Sequence, residues 1–201
     1  MRLASPLGHH IALVAPTSAP FDDYAGMVAY AREHPGILYA ALSATTRVFA
    51  TEIARANDID IEILPVDGGP GMVNAILGEQ AMLAYSGGVH HRYPEQMKVI
   101  AALTTERNAG SPDVPTIGEL GLPIGMDMQT VLIAPAGTPD DVIARLEGTL
   151  AAAAESPSFR EVADSMSAVV QFHTAAEATD IMHAQLQSNL AIMQAAGVQP
   201  Q

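Results

Sequence analysis

The chain contains no cysteine and no tryptophan, and Lys98 is its single lysine. Without cysteine, disulfides, thiolate metal sites and a cysteine nucleophile are excluded. The 9 basic residues are outnumbered by 22 acidic ones, so the formal net charge is -13. We therefore expect no basic surface that could follow the phosphates of a nucleic acid or bind an anionic membrane.

Long apolar runs and catalytic motifs are also missing. No stretch reaches the roughly 18 apolar residues of a membrane span, and residues 1–10 lack the continuous apolar core of a signal peptide. The chain has no Gly-x-Ser-x-Gly, Walker A or Gly-x-Gly-x-x-Gly sequence. This favours a binding protein over an enzyme, and we expect no cofactor.

Two histidine pairs, His9-His10 and His90-His91, are the candidates for a metal site. Neighbouring residues on a strand point to opposite faces, and neither pair has a carboxylate at a metal-ligand spacing. The sequence therefore predicts surface or turn histidines and no metal site.

Short apolar segments alternate with amphipathic ones over the first half of the chain. The predicted strands are 11–15, 37–42, 59–66, 81–85 and 99–103. Strands separated by helices at this spacing predict an α/β fold with a mostly parallel sheet. Because ligands bind beyond the carboxyl ends of such strands, we expect three loops to converge there: Ser43 to Arg47, Asp67 to Gly71 and Ser86 to Gly88.

The architecture changes at an apolar strand, Val131 to Ala134, that is followed by a turn at Pro135-Ala136-Gly137. Thr138 then has the pattern of an N-cap, with Pro139 at the first helical position. Beyond this junction the sequence predicts helices at 139–154 and 157–166, a strand at 168–172 and a last helix that ends near Gly197.

Three ordered motifs carry a family resemblance: Pro112-Asp113-Val114-Pro115-Thr116, Glu119-Leu120-Gly121, and the segment Ala134 to Pro139. Together they resemble the solute-binding proteins of tripartite tricarboxylate transporters, also called Bug proteins. The resemblance implies a periplasmic-binding-protein-like (type II) α/β lobe over residues 1–130. Residues 131–201 would form a hinge-return strand and a helical C-terminal segment.

The resemblance also implies a periplasmic location, a small organic ligand such as a carboxylate, and membrane transporter subunits as partners. Family members have two lobes, and this chain begins where the second lobe would begin. It carries no signal peptide, so a cytoplasmic location is expected if Met1 is the native start.

Matched by position to the family, the ligand contacts fall on four segments. The predicted ligand-binding residues are Ser43, Ala44, Thr45, Thr46, Arg47, Asp67, Gly68, Gly69, Ser86, Gly87, Gln129 and Thr130. Asp67 stands where the family has a basic residue, which weakens the case for a di- or tricarboxylate.

Each segment also has a purely structural explanation. Serine and threonine in the first loop are common helix caps. Arg47 could pair with a ligand carboxylate or with Glu52 or another surface acid. The Asp67 loop is either a ligand nest or a tight turn. Met126 and Met128 are either packing residues or part of a cleft wall.

Three functions remain open at this point. The first is a solute-binding protein, or a shortened descendant of one. The second is a non-transport protein that forms homo-oligomers through its C-terminal helices, whose residues Ile143, Leu146, Leu150 and Leu186 have little else to cover. The third is a small enzyme that uses Arg47 to orient a substrate, for which no acid-base pair is visible.

Overall fold

The computed structural model describes residues 2–108, 110–122, 124–165 and 168–195. The strands are β1 (Arg2–His9), β2 (Ala12–Pro16), β3 (Ile37–Ala41), β4 (Ile61–Pro65), β5 (Leu83–Ser86), β6 (Met97–Ala102), β7 (Met128–Ala134) and β8 (Ala168–His173). The α-helices are α1 (Tyr24–Glu33), α2 (Ala44–Asn57), α3 (Gly68–Leu77), α4 (Asp140–Glu155), α5 (Pro157–Ser165) and α6 (Ala175–Ala195). A short 3-10 helix spans Val89–Arg92. The predicted helix end at Gly197 lies outside the described residues.

Five strands form the main sheet in the order β4-β3-β5-β2-β6. Strands β4 and β5 run parallel to β3, whereas β2 runs antiparallel to both β5 and β6. The predicted α/β lobe is confirmed, but its sheet is mixed rather than mostly parallel. The reversal of β2 leaves the carboxyl ends of β3, β4, β5 and β6 at one edge, beside the beginning of β2.

Both faces of this sheet are buried. Alternating residues of β2 point to opposite faces of the sheet and are buried on both. Leu13 packs into the apolar cluster on one face, and Ala12 and Val14 pack into the cluster on the other. Helices α1 and α2 cover the first face, where Ile53 is fully buried. Helix α3 covers the second face. Burial on both sides explains why these strands are continuous apolar runs in the sequence.

A second, antiparallel sheet has the order β7-β1-β8. Its central strand, β1, was not predicted, because Pro6 and Gly8 interrupt any apolar pattern. The pairing register of β1 shifts on both sides near Pro6, as expected for a residue without a backbone N–H. The predicted border at residue 130 falls within β7. Strand β1, at the beginning of the chain, shares its sheet with β7, which spans that border, and with β8, which follows it.

The turn after β7 differs in detail from the prediction. Pro139 is the N-cap of α4 and Asp140 is its first residue. The hydroxyl of Thr138 donates to the Pro135 carbonyl at 2.8 Å, so Thr138 closes the turn instead of capping the helix. Gly137 has a φ of 87°, a conformation that glycine adopts without steric cost.

Candidate functional site

A cavity of about 650 Å³ opens at the sheet edge where the strands end. Its lining includes residues from each of the three loops that were expected to converge. The residues that line it are His9, Leu42, Ser43, Thr45, Thr46, Gly69, Met72, Tyr85, Gly87, Val89, Arg92, Met126 and Met128. The size suits a small organic molecule.

The first loop is held by a capping box at the beginning of α2. The Ser43 hydroxyl accepts from the Thr46 amide at 3.3 Å. The Thr46 hydroxyl accepts from the amides of Leu42 and Ser43, both at 2.9 Å, and donates to the Ser43 carbonyl. Ser43 and Thr46 therefore both hold the loop in shape and line the cavity. Thr45 is exposed and also lines it.

The predicted cation lies outside the cavity. Arg47 is exposed and does not belong to the lining, and neither does Ala44. The expected pair with Glu52 does not form, because Glu52 pairs with Arg55, one turn further along α2, at 2.5 Å.

The second loop contributes little side-chain chemistry. Asp67 is the N-cap of α3, but its exposed carboxylate makes no capping hydrogen bond. Gly68 has a φ of 60° and is exposed, whereas Gly69 lines the cavity. Gly68 and Gly69 are the first two residues of α3, so this segment is the beginning of a helix rather than a tight turn, and of the two only Gly69 lines the cavity.

In the third loop, Ser86 is fully buried and its hydroxyl is engaged within the protein. It lies 2.7 Å from His90 Nδ1, and it accepts from the amides of Gly88 and His90 at 3.3 and 3.4 Å. Ser86 thus holds the 3-10 helix in place instead of lining the cavity. Gly87 does line it, and a Cβ there would lie 3.6 Å from Met128 Cε.

That 3-10 helix brings an unpredicted residue, Arg92, to the cavity. Arg92 is exposed, and among the described residues no acceptor is found for its guanidinium. Among the lining residues that the structure describes there is no aspartate or glutamate, although the whole chain carries a net charge of -13. The signal in the sequence was weak: an arginine a few residues beyond the Ser86 strand end, in a chain with few cations.

Strand β7 separates this cavity from a second one of about 540 Å³, and His9 and Met128 line both. Gln129 lines only the second cavity. Thr130 lines neither, and its hydroxyl lies 2.9 Å from His9 Nε2. Met126 and Met128 line the first cavity, as expected if they form part of a cleft wall. Both also pack against the main core cluster.

Three other histidines, His10, His90 and His91, cluster where the main sheet meets the second one. The rings of His10 and His91 are 5.1 Å apart, and those of His90 and His91 are 4.1 Å apart. Burial is the main cause that lowers the pKa of His90 to about 3, and electrostatic repulsion from the nearby His91 and His10 lowers it further. Within the described ranges, no three histidine, aspartate or glutamate side chains are grouped so that they could hold a metal ion.

The α-helices in the described part of the chain range from the 9 residues of α5 to the 21 residues of α6. None of them combines the length and the apolar character needed to cross a bilayer.

Comparison with known proteins identifies relatives of the whole chain. Residues 3–198 match the family model described as tripartite tricarboxylate transporter family receptor. A UPF0065 protein of Cupriavidus necator is 28% identical over 159 residues, which are 77% of this chain and 49% of that protein. A UPF0065 protein of Bordetella pertussis is 25% identical over 197 residues, which are 94% of this chain and 61% of that protein. The chain thus spans about half to three fifths of these relatives.

Solved structures share the fold. The periplasmic binding protein BugD has a TM-score of 0.79 at 20% identity, covering 100% of this chain and 70% of BugD. Rpa4515 of R. palustris, solved with adipate, has a TM-score of 0.78 at 20% identity, and the match covers 100% of this chain and 69% of Rpa4515. MatC of Rhodopseudomonas palustris, solved with malate, has a TM-score of 0.71 at 22% identity, and the match covers 94% of this chain and 67% of MatC.

The predicted family is confirmed by the match across nearly the whole chain, and the description of that family is of receptors. The protein belongs to the tripartite tricarboxylate transporter family of receptors.

Proposed function

We propose that this protein captures a small organic acid in the 650 Å³ cavity and presents it to the membrane subunits of a tripartite transporter. Residues 1–130 would act as the second lobe of the receptor, and residues 131–201 as the hinge return and helical segment. The relatives BugD, Rpa4515 and MatC support this proposal, since adipate and malate are bound to two of them. BugD is a periplasmic protein, and a periplasmic location is proposed here too.

The observation that carries the proposal is the charge around the cavity. A protein with a net charge of -13 repels anions from most of its surface. The described residues that line this cavity include Arg92 and no carboxylate. The first turn of α2 adds the partial positive charge of a helix N-terminus. An anion is therefore better stabilised here than on the acidic surface.

Arg92→Gln is expected to weaken organic-acid binding about 10- to 100-fold, the range of a lost hydrogen bond between charged groups. Arg47→Gln is the matched control, because Arg47 is also exposed but does not line the cavity. It should change affinity less than about twofold. Isothermal titration of wild type and both variants with hexanoate and adipate measures this. A larger loss in the Arg47 variant, or no binding of either acid to wild type, contradicts the proposal.

A second candidate function is self-association, because several large apolar side chains on β7, α4 and α6 are exposed. Leu132 is 49% exposed, Ile133 58%, Leu146 50% and Leu186 53%. Strand β7 is also at an edge of its sheet in the described part of the chain, and an edge strand can pair with the same strand of a second copy.

In this case the wild type should be a dimer at micromolar concentration in light scattering, and Ile133→Lys should shift it to monomer. The charge is placed on a residue whose side chain is largely exposed, so the fold itself should tolerate it. A wild-type protein that stays monomeric up to about 100 μM, well above the Kd of a stable dimer, excludes this candidate.

A further inference from the structure

The cavity that was assigned to an organic acid has mostly apolar walls. The side chains that form them are Leu42, Met72, Tyr85, Val89, Met126 and Met128. Met72 and Tyr85 are buried, whereas Met126, just before β7, and Met128, the first residue of β7, are half-buried. Methionine is polarizable and adapts to ligands of different shape. A ligand that binds against this wall makes apolar contacts over most of the ligand's surface.

The polar groups of the lining are largely engaged with the protein itself. The hydroxyls of Ser43 and Thr46 belong to the capping box, and His9 Nε2 lies beside the Thr130 hydroxyl. The phenol of Tyr85 stays protonated at neutral pH, since burial raises its pKa to about 12. Arg92 is thus the one cation among the described lining residues.

One cation and an apolar wall match a molecule with one carboxylate and an apolar body. A second carboxylate placed against the methionines would lose its hydration without gaining a cationic partner, which is unfavourable. By contrast, each methylene that moves from water to this wall gains free energy.

We infer that the ligands of this protein are monocarboxylic acids with an alkyl or aryl body, held by Arg92 at the carboxylate and by Met126 and Met128 along the body. The inference rests on the proposed function, because it names the class of acid that the same cavity takes. It separates this chain from the relatives solved with malate and adipate, which are both dicarboxylates.

Titration calorimetry of the full chain with butyrate, hexanoate and octanoate tests the wall. Affinity should rise about fourfold per added methylene, so hexanoate should bind about 16-fold more tightly than butyrate. Adipate, which differs from hexanoate by a carboxylate in place of a methyl group, should bind at least about tenfold more weakly than hexanoate.

The double variant Met126→Gln/Met128→Gln keeps the side-chain length and removes the apolar character. It should bind hexanoate about tenfold more weakly than wild type and flatten the dependence on chain length. Met82→Gln is the matched control, because Met82 is also half-buried but lies outside the cavity lining. Its Kd for hexanoate should stay within about twofold of wild type.

The outcomes separate the two proposals. If adipate binds as tightly as hexanoate, or if affinity does not rise with chain length, the inference fails while the proposed function stands. If none of the acids binds to wild type, both fail. If the chain-length dependence survives unchanged in the double methionine variant, the apolar body binds elsewhere and the inference fails.

Discussion

Lowering the pH from 6.5 to 4 is expected to destabilise the wild-type protein by about 3 kcal/mol more than the His90→Asn variant. In the unfolded chain His90 takes up a proton near its ordinary pKa of 6.5, whereas burial holds its pKa at about 3 in the folded protein. Between these values the unfolded state binds one more proton, so stability falls as the pH falls.

The structure gives the reason. His90 is 4% exposed, its Nδ1 lies beside the Ser86 hydroxyl, and its buried Nε2 has no hydrogen-bond partner among the described groups. A second proton on the His90 ring would create a buried charge beside two other histidines, His10 and His91. Asparagine can still form a hydrogen bond with the Ser86 hydroxyl but does not titrate.

Urea unfolding of both proteins at pH 6.5 and pH 4 measures the difference. Because the many carboxylates titrate alike in both proteins, their contribution cancels in the comparison. Equal pH dependence of wild type and variant would show that His90 is protonated in the folded protein at pH 4.

Thr46→Val is expected to lower the free energy of unfolding by about 2–4 kcal/mol. Valine has the shape of threonine but cannot accept from the amides of Leu42 and Ser43 or donate to the Ser43 carbonyl. Thr46 is 4% exposed, so water cannot replace these bonds without local opening. The cost therefore exceeds that of an ordinary exposed N-cap.

The neighbouring residue supplies the control. Thr45 is exposed, and among the described residues no partner of its hydroxyl is found, so Thr45→Val should change stability by less than about 0.5 kcal/mol. Urea unfolding of the ligand-free proteins compares the two. Similar stability of the two variants would mean that the capping box does not contribute as the geometry indicates.

Local rules were reliable where the residues that decide a structure are close in sequence. The capping pattern around Ser43, the turn at Pro135 to Gly137 and the five strands of the main sheet all follow from neighbours within a few positions. The convergence of three loops at one edge also followed, because parallel strands place their carboxyl ends together.

The missed features depend on residues far apart in the chain. Strand β1 forms because it lies between β7 and β8, each more than 100 residues away, so its backbone hydrogen bonds do not require an apolar pattern. Arg92 and Arg47 are both single arginines near a strand end. Only the 3-10 helix held by Ser86 places Arg92 at the cavity, while Arg47 lies on the outer surface of α2.

The sequence by itself determined the family, the α/β class and the edge of the sheet where a ligand would bind. These depend on ordered motifs and on burial patterns that repeat along the chain. Only the tertiary structure decided which side chains reach the cavity. Methionines from just before β7 and from its first position, a histidine from β1 and an arginine from a 3-10 helix meet there because two sheets pack at that edge. No short sequence pattern predicts that these side chains converge, since their positions depend on packing between residues far apart in the chain.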